Sequence, residues 1–175
     1  MSHGQEMGGV VLGHDELVAR GLAVQAAQLL VSQFFPALKR FGGYQEAIDK
    51  YVGHRGLYAI VEENGSVPGA ALLNSNDTLP SGSARQFQEG EVRLSLIAVS
   101  ASQRGSGVGS RLLGGVEQDA AARLGASWIT LSASLGDSVP ASEREGATRR
   151  LRRFYIRNRY TPDSEDPNRF AKRLQ

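Results

Sequence analysis

The chain has 175 residues, 41% of them hydrophobic and 22% charged, with a formal net charge of +2 at neutral pH. Such a length and balance fit one globular unit that can bury a core, and they lack the bulk basic character of a polyanion-binding domain. The absence of cysteine excludes a disulfide framework, a thiolate zinc site and a cysteine nucleophile.

In chain order, residues 1–9 are glycine-rich and expected to be disordered, with 10–175 forming a single domain. The opening MSHGQEMGGVV lacks the basic and apolar regions of a signal peptide, and no run reaches the ~18 apolar residues of a membrane span. A cytoplasmic protein without membrane attachment is therefore expected. Val10 to Leu12 suits a short strand. Leu17, Leu22, Ala26, Leu29, Leu30 and Phe34 recur over several turns and predict a helix across 15–38, broken by Pro36 and by Gly42-Gly43. A second short helix is expected from Tyr44 to Tyr51. Leu57 to Glu62 and Gly69 to Leu73 read as a hairpin around Asn64-Gly65. A polar loop follows from Asn74 to Gly90, then an apolar strand from Glu91 to Ser100. Val108, Leu112, Val116, Ala120 and Leu124 place a helix over 108–124. Trp128 to Ala133 is a strand, Leu135 to Gly146 a loop, and Ala147 to Asn158 an arginine-rich helix. Alternation of Phe170, Lys172 and Leu174 suits a last strand. The order gives a mixed α/β fold, an α+β arrangement in which helices flank a central sheet.

The densest signal is Arg104-Gly105-Ser106-Gly107-Val108-Gly109, between the strand ending near Val99 and the helix opening at Val108. Glycines at a helix start bare the backbone amides, and the unpaired N–H groups and the helix dipole there favour an anion. A P-loop would need Lys-Ser/Thr after the glycines, where Ser110-Arg111 stands. A dinucleotide fingerprint would need glycine at position 110, a strand running straight into the first glycine, and an acidic residue ending the next strand. Instead Ser100 to Arg104 intervene and Ser132-Ala133-Ser134 ends that strand.

Arg104-x-x-Gly107-x-Gly109 within LIAVSASQRGSGVGSRLL, Leu96 to Leu113, resembles the acetyl-CoA motif of the Gcn5-related N-acetyltransferases (GNAT). The resemblance extends from Leu57 to Leu174: the hairpin LYAIVEENGSVPGAALL upstream, the strand SWITLSAS, the tyrosine-bearing RRFYIRNRY and the closing RFAKRL. It implies a GNAT-like sheet of six to seven mixed strands flanked by helices, and N-acetyl transfer from acetyl-CoA to a primary amine by direct attack in a ternary complex. It implies further that Arg104, Gly105, Ser106, Gly107, Val108, Gly109 and Ser110 hold the CoA diphosphate. The segment Ile97, Ala98, Val99 would pair with the pantetheine arm, and an amide near Val99 would stabilise the thioester oxygen as charge grows on it. Tyr155 would protonate the departing thiolate.

The chain departs from that pattern at several positions. Ser95 and Ser132 stand where the family often carries a glutamate base, and Glu91, on the face of Ser95, is the remaining candidate base, acting through water. Thr148 to Leu151 replaces an Asn-x-x-Ala before the tyrosine, and Arg159-Tyr160 replaces Gly-Phe after it. No metal is expected, because His3, His14 and His54 are isolated and lack ligand spacing. Arg149, Arg153 and Arg157 share a helical face. That face reads first as solvated, with carboxylates such as Glu143 and Glu145 as partners, and second as a contact for the CoA 3′-phosphate or a nucleic acid. Two alternatives stay open: a non-catalytic CoA-binding or regulatory module, motivated by the missing strand carboxylates, and an acetyltransferase directed at tRNA or another nucleic acid through the arginine-rich helix. The sequence is compatible with a monomer or a homodimer.

Overall fold

The computed structural model describes residues 8–34, 42–79, 82–83, 86–133, 135 and 139–175. The strands are β1 (Val10–Gly13), β2 (Leu57–Val61), β3 (Gly69–Asn74), β4 (Glu91–Val99), β5 (Trp128–Ser132), β6 (Thr161–Pro162) and β7 (Arg169–Arg173). The helices are α1 (His14–Ala19), α2 (Ala23–Phe34), α3 (Tyr44–Val52), α4 (Val108–Leu124) and α5 (Arg144–Arg157). One seven-stranded sheet runs β1-β2-β3-β4-β5-β7-β6. Every neighbouring pair is antiparallel except β4 with β5, where α4 makes the crossover a parallel pair requires.

Two buried clusters lie on opposite faces of the sheet. Alternate residues of each strand supply one or the other, as the two-residue period dictates. Val108, Leu112, Leu113, Val116 and Ala120 of α4 cover Ile60, Leu73, Val92, Leu94, Ile129 and Phe170, and Tyr155 of α5 joins this side. On the other face Leu17, Ala26, Ala27, Leu30, Val31 and Ile48 of α1, α2 and α3 cover Leu57, Ala59, Ala70, Leu72 and Ala98. The N-terminal helices contact β2, β3 and β4, so the β5–β7 side of that second face carries Trp128, which is 46% exposed.

The expected helix over 15–38 is two helices. Gly21 takes φ +69°, its N–H bonds Val18 O at 3.1 Å, Leu22 N–H bonds Leu17 O at 2.8 Å, and the chain turns there. Residues 35–38 of that expectation lie outside the described residues. The arginine-rich helix begins at Arg144 rather than Ala147, after a 3₁₀ turn over Ala141–Glu143. Its first turn faces solvent, so no apolar period marks it. The two-residue β6 was not anticipated; it pairs Thr161 with Ala171 and Pro162 with Phe170.

Candidate active site

The loop between β4 and α4 is shaped by its glycines and closed by its arginine. Gly105 and Gly107 take φ +81° and +85°, a region in which a Cβ is strained. Gly109 has a different reason: a Cβ there would stand 3.3 Å from the Phe154 ring of α5. Arg104 turns back on its own loop, Nε donating to Val99 O at 3.3 Å and Nη2 to Gln33 Oε1 of α2 at 2.8 Å. Ser106 Oγ donates to Gln103 O at 2.5 Å. Loop bonds engage the amides of Ser106 and Arg111, with Gln103 O and Gly107 O as acceptors. The amides of Gly105, Gly107, Val108, Gly109 and Ser110 have no backbone acceptor among the described residues. No acidic residue sits in the first turn of α4. The result is a set of convergent N–H groups at the positive end of a 17-residue helix.

Beside this loop β4 and β5 part company. Their register covers Glu91–Leu94 against Trp128–Leu131, whereas β4 continues along β3 to Val99. The β5-facing edge of β4 beyond Leu94 is therefore free to pair with an extended ligand. The register of β4 with β3 also slips, since Leu73 faces Leu94 and Leu72 faces Leu96, which leaves Ser95 as an unpaired bulge residue. A cleft of about 840 Å³ joins these parts, lined by Ile97, Ala98 and Val99, by the glycine loop, and by Leu151 and Phe154 of α5.

Tyr155 lies where the strands open, lining a small hollow of about 30 Å³ with Ser95, Ile97, Ser132 and Leu151. It is 3% exposed and packs edge-on against Phe154 and Tyr160, with ring centroids at 5.2 and 5.7 Å. Its hydroxyl has no hydrogen-bond partner among the described residues. Burial pushes the phenol far above its ordinary range, so it stays protonated at neutral pH and is a proton donor.

The arginines of α5 divide by face. Arg150 and Arg157 line the cleft, seven residues apart, whereas Arg149 is exposed and, among the described residues, makes a 3.6 Å surface pair with Glu145. Of the expected trio Arg149, Arg153 and Arg157, the cleft takes the last alone, and it adds Arg150. A helical-wheel count around Phe154 would have found that pair.

Glu91 stands at the far end of β4. Its Oε1 accepts from Thr130 Oγ1 at 3.1 Å and its Oε2 from the Gln88 amide at 3.1 Å. Four residues separate it from Ser95, about 13 Å of strand at ~3.3 Å per residue. Ser95 itself is held by a chain of groups that sequence reasoning missed. The Gly56 amide donates to His54 Nδ1 at 3.0 Å, which leaves Nε2 as the N–H that donates to Asn74 Oδ1 at 2.9 Å. Asn74 Nδ2 then donates to Ser95 Oγ. Burial depresses the His54 pKa, consistent with a neutral ring in this chain. Among the described residues no group of three or more His, Asp or Glu side chains is placed to hold a metal ion, and no helix is long and apolar enough to cross a membrane.

A mixed seven-stranded sheet whose parallel pair opens beside a glycine-shaped helix start defines the acyl-CoA N-acyltransferase class of fold. Residues 24–141 match the model of the acetyltransferase (GNAT) family, and the chain belongs to that family. The matched span stops before α5, so Tyr155 lies beyond it. Several solved structures share the fold. Ard1 from Thermoplasma volcanium is 14% identical over 95% of this chain and 98% of its own, with a TM-score of 0.55. Histone acetyltransferase HPA2 and related acetyltransferase from Corynebacterium glutamicum is 20% identical over 97% and 98%, with a TM-score of 0.54. Another acetyltransferase is 17% identical over 95% and 100%, with a TM-score of 0.56. At these identities the likeness is one of fold. No curated protein matches the chain by sequence.

Proposed function

We propose that this chain, acting as a single domain over 10–175, transfers the acetyl group of acetyl-CoA to a primary amine by direct attack in a ternary complex. The observation that carries the reading is the adjacency of two cavities: the cleft that holds the amide cradle of α4 and the free edge of β4, and the small hollow that Tyr155 lines, which share Ile97 and Leu151 as walls. The amides of Gly105 and Gly107 to Ser110 hold the diphosphate, with Arg150 and Arg157 adding positive charge across the cleft. Arg104 and Ser106 keep the loop in shape through Val99, Gln33 and Gln103. The edge of Ile97, Ala98 and Val99 pairs with the pantetheine arm, and an amide near Val99 stabilises the thioester oxygen.

In the reaction the amine nitrogen bonds to the thioester carbon, the carbon–sulfur bond breaks, and the sulfur takes a proton from the Tyr155 hydroxyl. The proton released by the amine passes to solvent and restores the tyrosine. With no cysteine in the chain, no acyl-cysteine intermediate forms. Glu91 acts as base only if water bridges the four residues to Ser95, so Glu91→Gln is the test of that role: loss of the acidic limb of the pH–rate profile supports it, and an unaltered profile removes it. For the transfer itself, thiol release is followed with acetyl-CoA and a panel of amines. Tyr155→Phe is expected to lower kcat by about 10²-fold or more, with acetyl-CoA affinity retained. An unchanged kcat would remove Tyr155 from the mechanism.

A further inference from the structure

The sheet face opposite α4 carries a basic patch at the mouth of the β4–β5 opening. Ser95 and Ser132 are the first residues past the last paired positions, Leu94 and Leu131, and both line the hollow that Tyr155 enters. Arg93 Nη2 donates to Ser132 Oγ at 3.2 Å. Across the next strand, Arg169 is the register partner of that same Ser132. Alternation puts Arg93, Thr130, Ser132, Ala171, Arg169 and Arg173 on one face of three adjacent strands, since Arg93 pairs with Thr130, Thr130 with Ala171, and Trp128 with Arg173. Two guanidinium-bearing positions thus straddle one hydroxyl at the edge of the opening.

The carboxylates near this patch do not neutralise it. Glu91 is engaged by Thr130 and the Gln88 amide. Asp163 is influenced by Arg169, but its side chain accepts from the amides of Glu165 and Asp166. Neither Arg93 nor Arg169 is within salt-bridge distance of a carboxylate among the described residues. Arg93, Thr130, Arg169 and Arg173 line one open hollow of about 890 Å³ together with Asp163 and Glu117, and Glu117 is engaged by the Tyr160 hydroxyl at 2.8 Å and by Lys172 Nζ at 2.6 Å. A guanidinium is the side chain best suited to a planar or tetrahedral oxyanion, because its fork offers paired donors.

We propose that the acceptor amine carries an oxyanion, carboxylate or phosphate, which Arg93 and Arg169 hold against Ser132 while the amine enters the opening beside Ser95. This deepens the acetyl-transfer reading and rests on it for the chemistry. The scale follows from the sheet. The anion site lies about one strand spacing, ~5 Å, from the opening. That distance suits a small acceptor in which a few bonds separate nitrogen from oxyanion, and excludes a long diamine reaching in with no anchor. The Ser132 hydroxyl, already accepting from Arg93, keeps its own proton to donate to the anion.

The test has two independent readouts. Thiol release is compared for β-alanine and O-phosphoethanolamine against propylamine and ethanolamine, their neutral-tailed counterparts. The anionic amines are expected to show at least a tenfold higher kcat/KM, and whichever of the two wins tells carboxylate from phosphate. Arg93→Ala and Arg169→Ala should each erase about tenfold of that preference through acceptor KM, with the calorimetric affinity for acetyl-CoA unchanged. Trp128, the sole tryptophan, sits on the same face, four residues from Ser132, and reports binding without turnover. A saturable fluorescence change with β-alanine or O-phosphoethanolamine, lost in Arg93→Ala, supports the anion site even if no thiol is released, in which case only the transfer reading fails. Equal turnover of neutral and anionic amines, or no saturable fluorescence change with either anionic probe, overturns the proposal. Arginine variants that lose acetyl-CoA affinity as well would mark a structural role and overturn it too.

Discussion

Gly107→Ala separates the conformational demand of the loop from every packing effect. Gly107 has φ +85° and ψ −1° and caps α4, and a Cβ built on it meets nothing within 4 Å. The penalty is therefore purely that of an L-residue in the left-handed region, about 1–2 kcal/mol. The stiffer unfolded chain returns a few tenths of that. Two outcomes divide the cost. If the loop keeps its shape, the free protein loses about 1 kcal/mol of stability and acetyl-CoA affinity is unchanged. If the loop relaxes, the amides of Gly107, Val108 and Gly109 turn away and binding must restore them, so affinity falls roughly 5- to 30-fold, the equivalent of 1–2 kcal/mol. The sum is the same by either route, because both end in the same bound conformation. Urea denaturation with and without saturating acetyl-CoA, together with calorimetry, measures both parts. A combined loss near zero would mean that the bound loop does not need a left-handed residue at 107. An affinity loss of a thousandfold would mean that the side chain meets the ligand directly, contrary to the open space around it.

Three further outcomes follow from the packing and hydrogen bonds. In α4, a Cβ on Gly115 would fall 2.5 Å from Val11 Cβ of β1, while one on Gly114 meets nothing within 4 Å. Gly115→Ala should therefore cost about 1–3 kcal/mol in urea melts and Gly114→Ala should gain up to about 1 kcal/mol; equal effects would contradict the close approach of α4 to β1. Burial depresses the His54 pKa below the ~6.5 of the unfolded chain, and protonation at Nδ1 would break the bond from the Gly56 amide. The unfolded state then takes up the proton first, so this contribution is complete above about pH 6.5 and is lost as pH falls from there through the lower folded pKa. His54→Gln should flatten stability across that window, and a slope equal to wild type would rule the linkage out. Arg159 is the one described non-glycine residue with positive φ, +68°, just after α5. Arg159→Gly should raise stability by about 0.5 kcal/mol, the left-handed strain relieved less the added entropy of the unfolded glycine; a loss of stability would show that the arginine side chain holds the turn.

Helix α4 was legible to the residue, because an apolar stripe lies between two glycine signals, Gly107 and Gly125, both with positive φ. The hairpin of β2 and β3 was legible through Asn64-Gly65. What stayed hidden depends on register. Val92, Leu94, Leu96 and Ala98 alternate without interruption in the sequence, yet the bulge at Ser95 sends the first two to the α4 face and the last two to the α2 face. The alternation survives because Ile97 and Val99 are also apolar, the second half of β4 being packed on both faces. The His54–Asn74–Ser95 chain follows from that bulge, and no local spacing announces it. Charge spacing alone does not say which side of the arginine-rich helix is covered. The apolar residues Leu151 and Phe154 do, and they turn Arg150 and Arg157 inward.

The central claim is that the cleft between α4, β4 and α5 receives acetyl-CoA. Calorimetric titration of the purified chain with acetyl-CoA tests it directly, with Gly105→Asp, which sets a negative charge beside the cradle, as the matched variant. A single saturable site that wild type shows and the variant weakens at least tenfold is the predicted result. No saturable binding to wild type at millimolar acetyl-CoA, or equal binding by the variant, would contradict it.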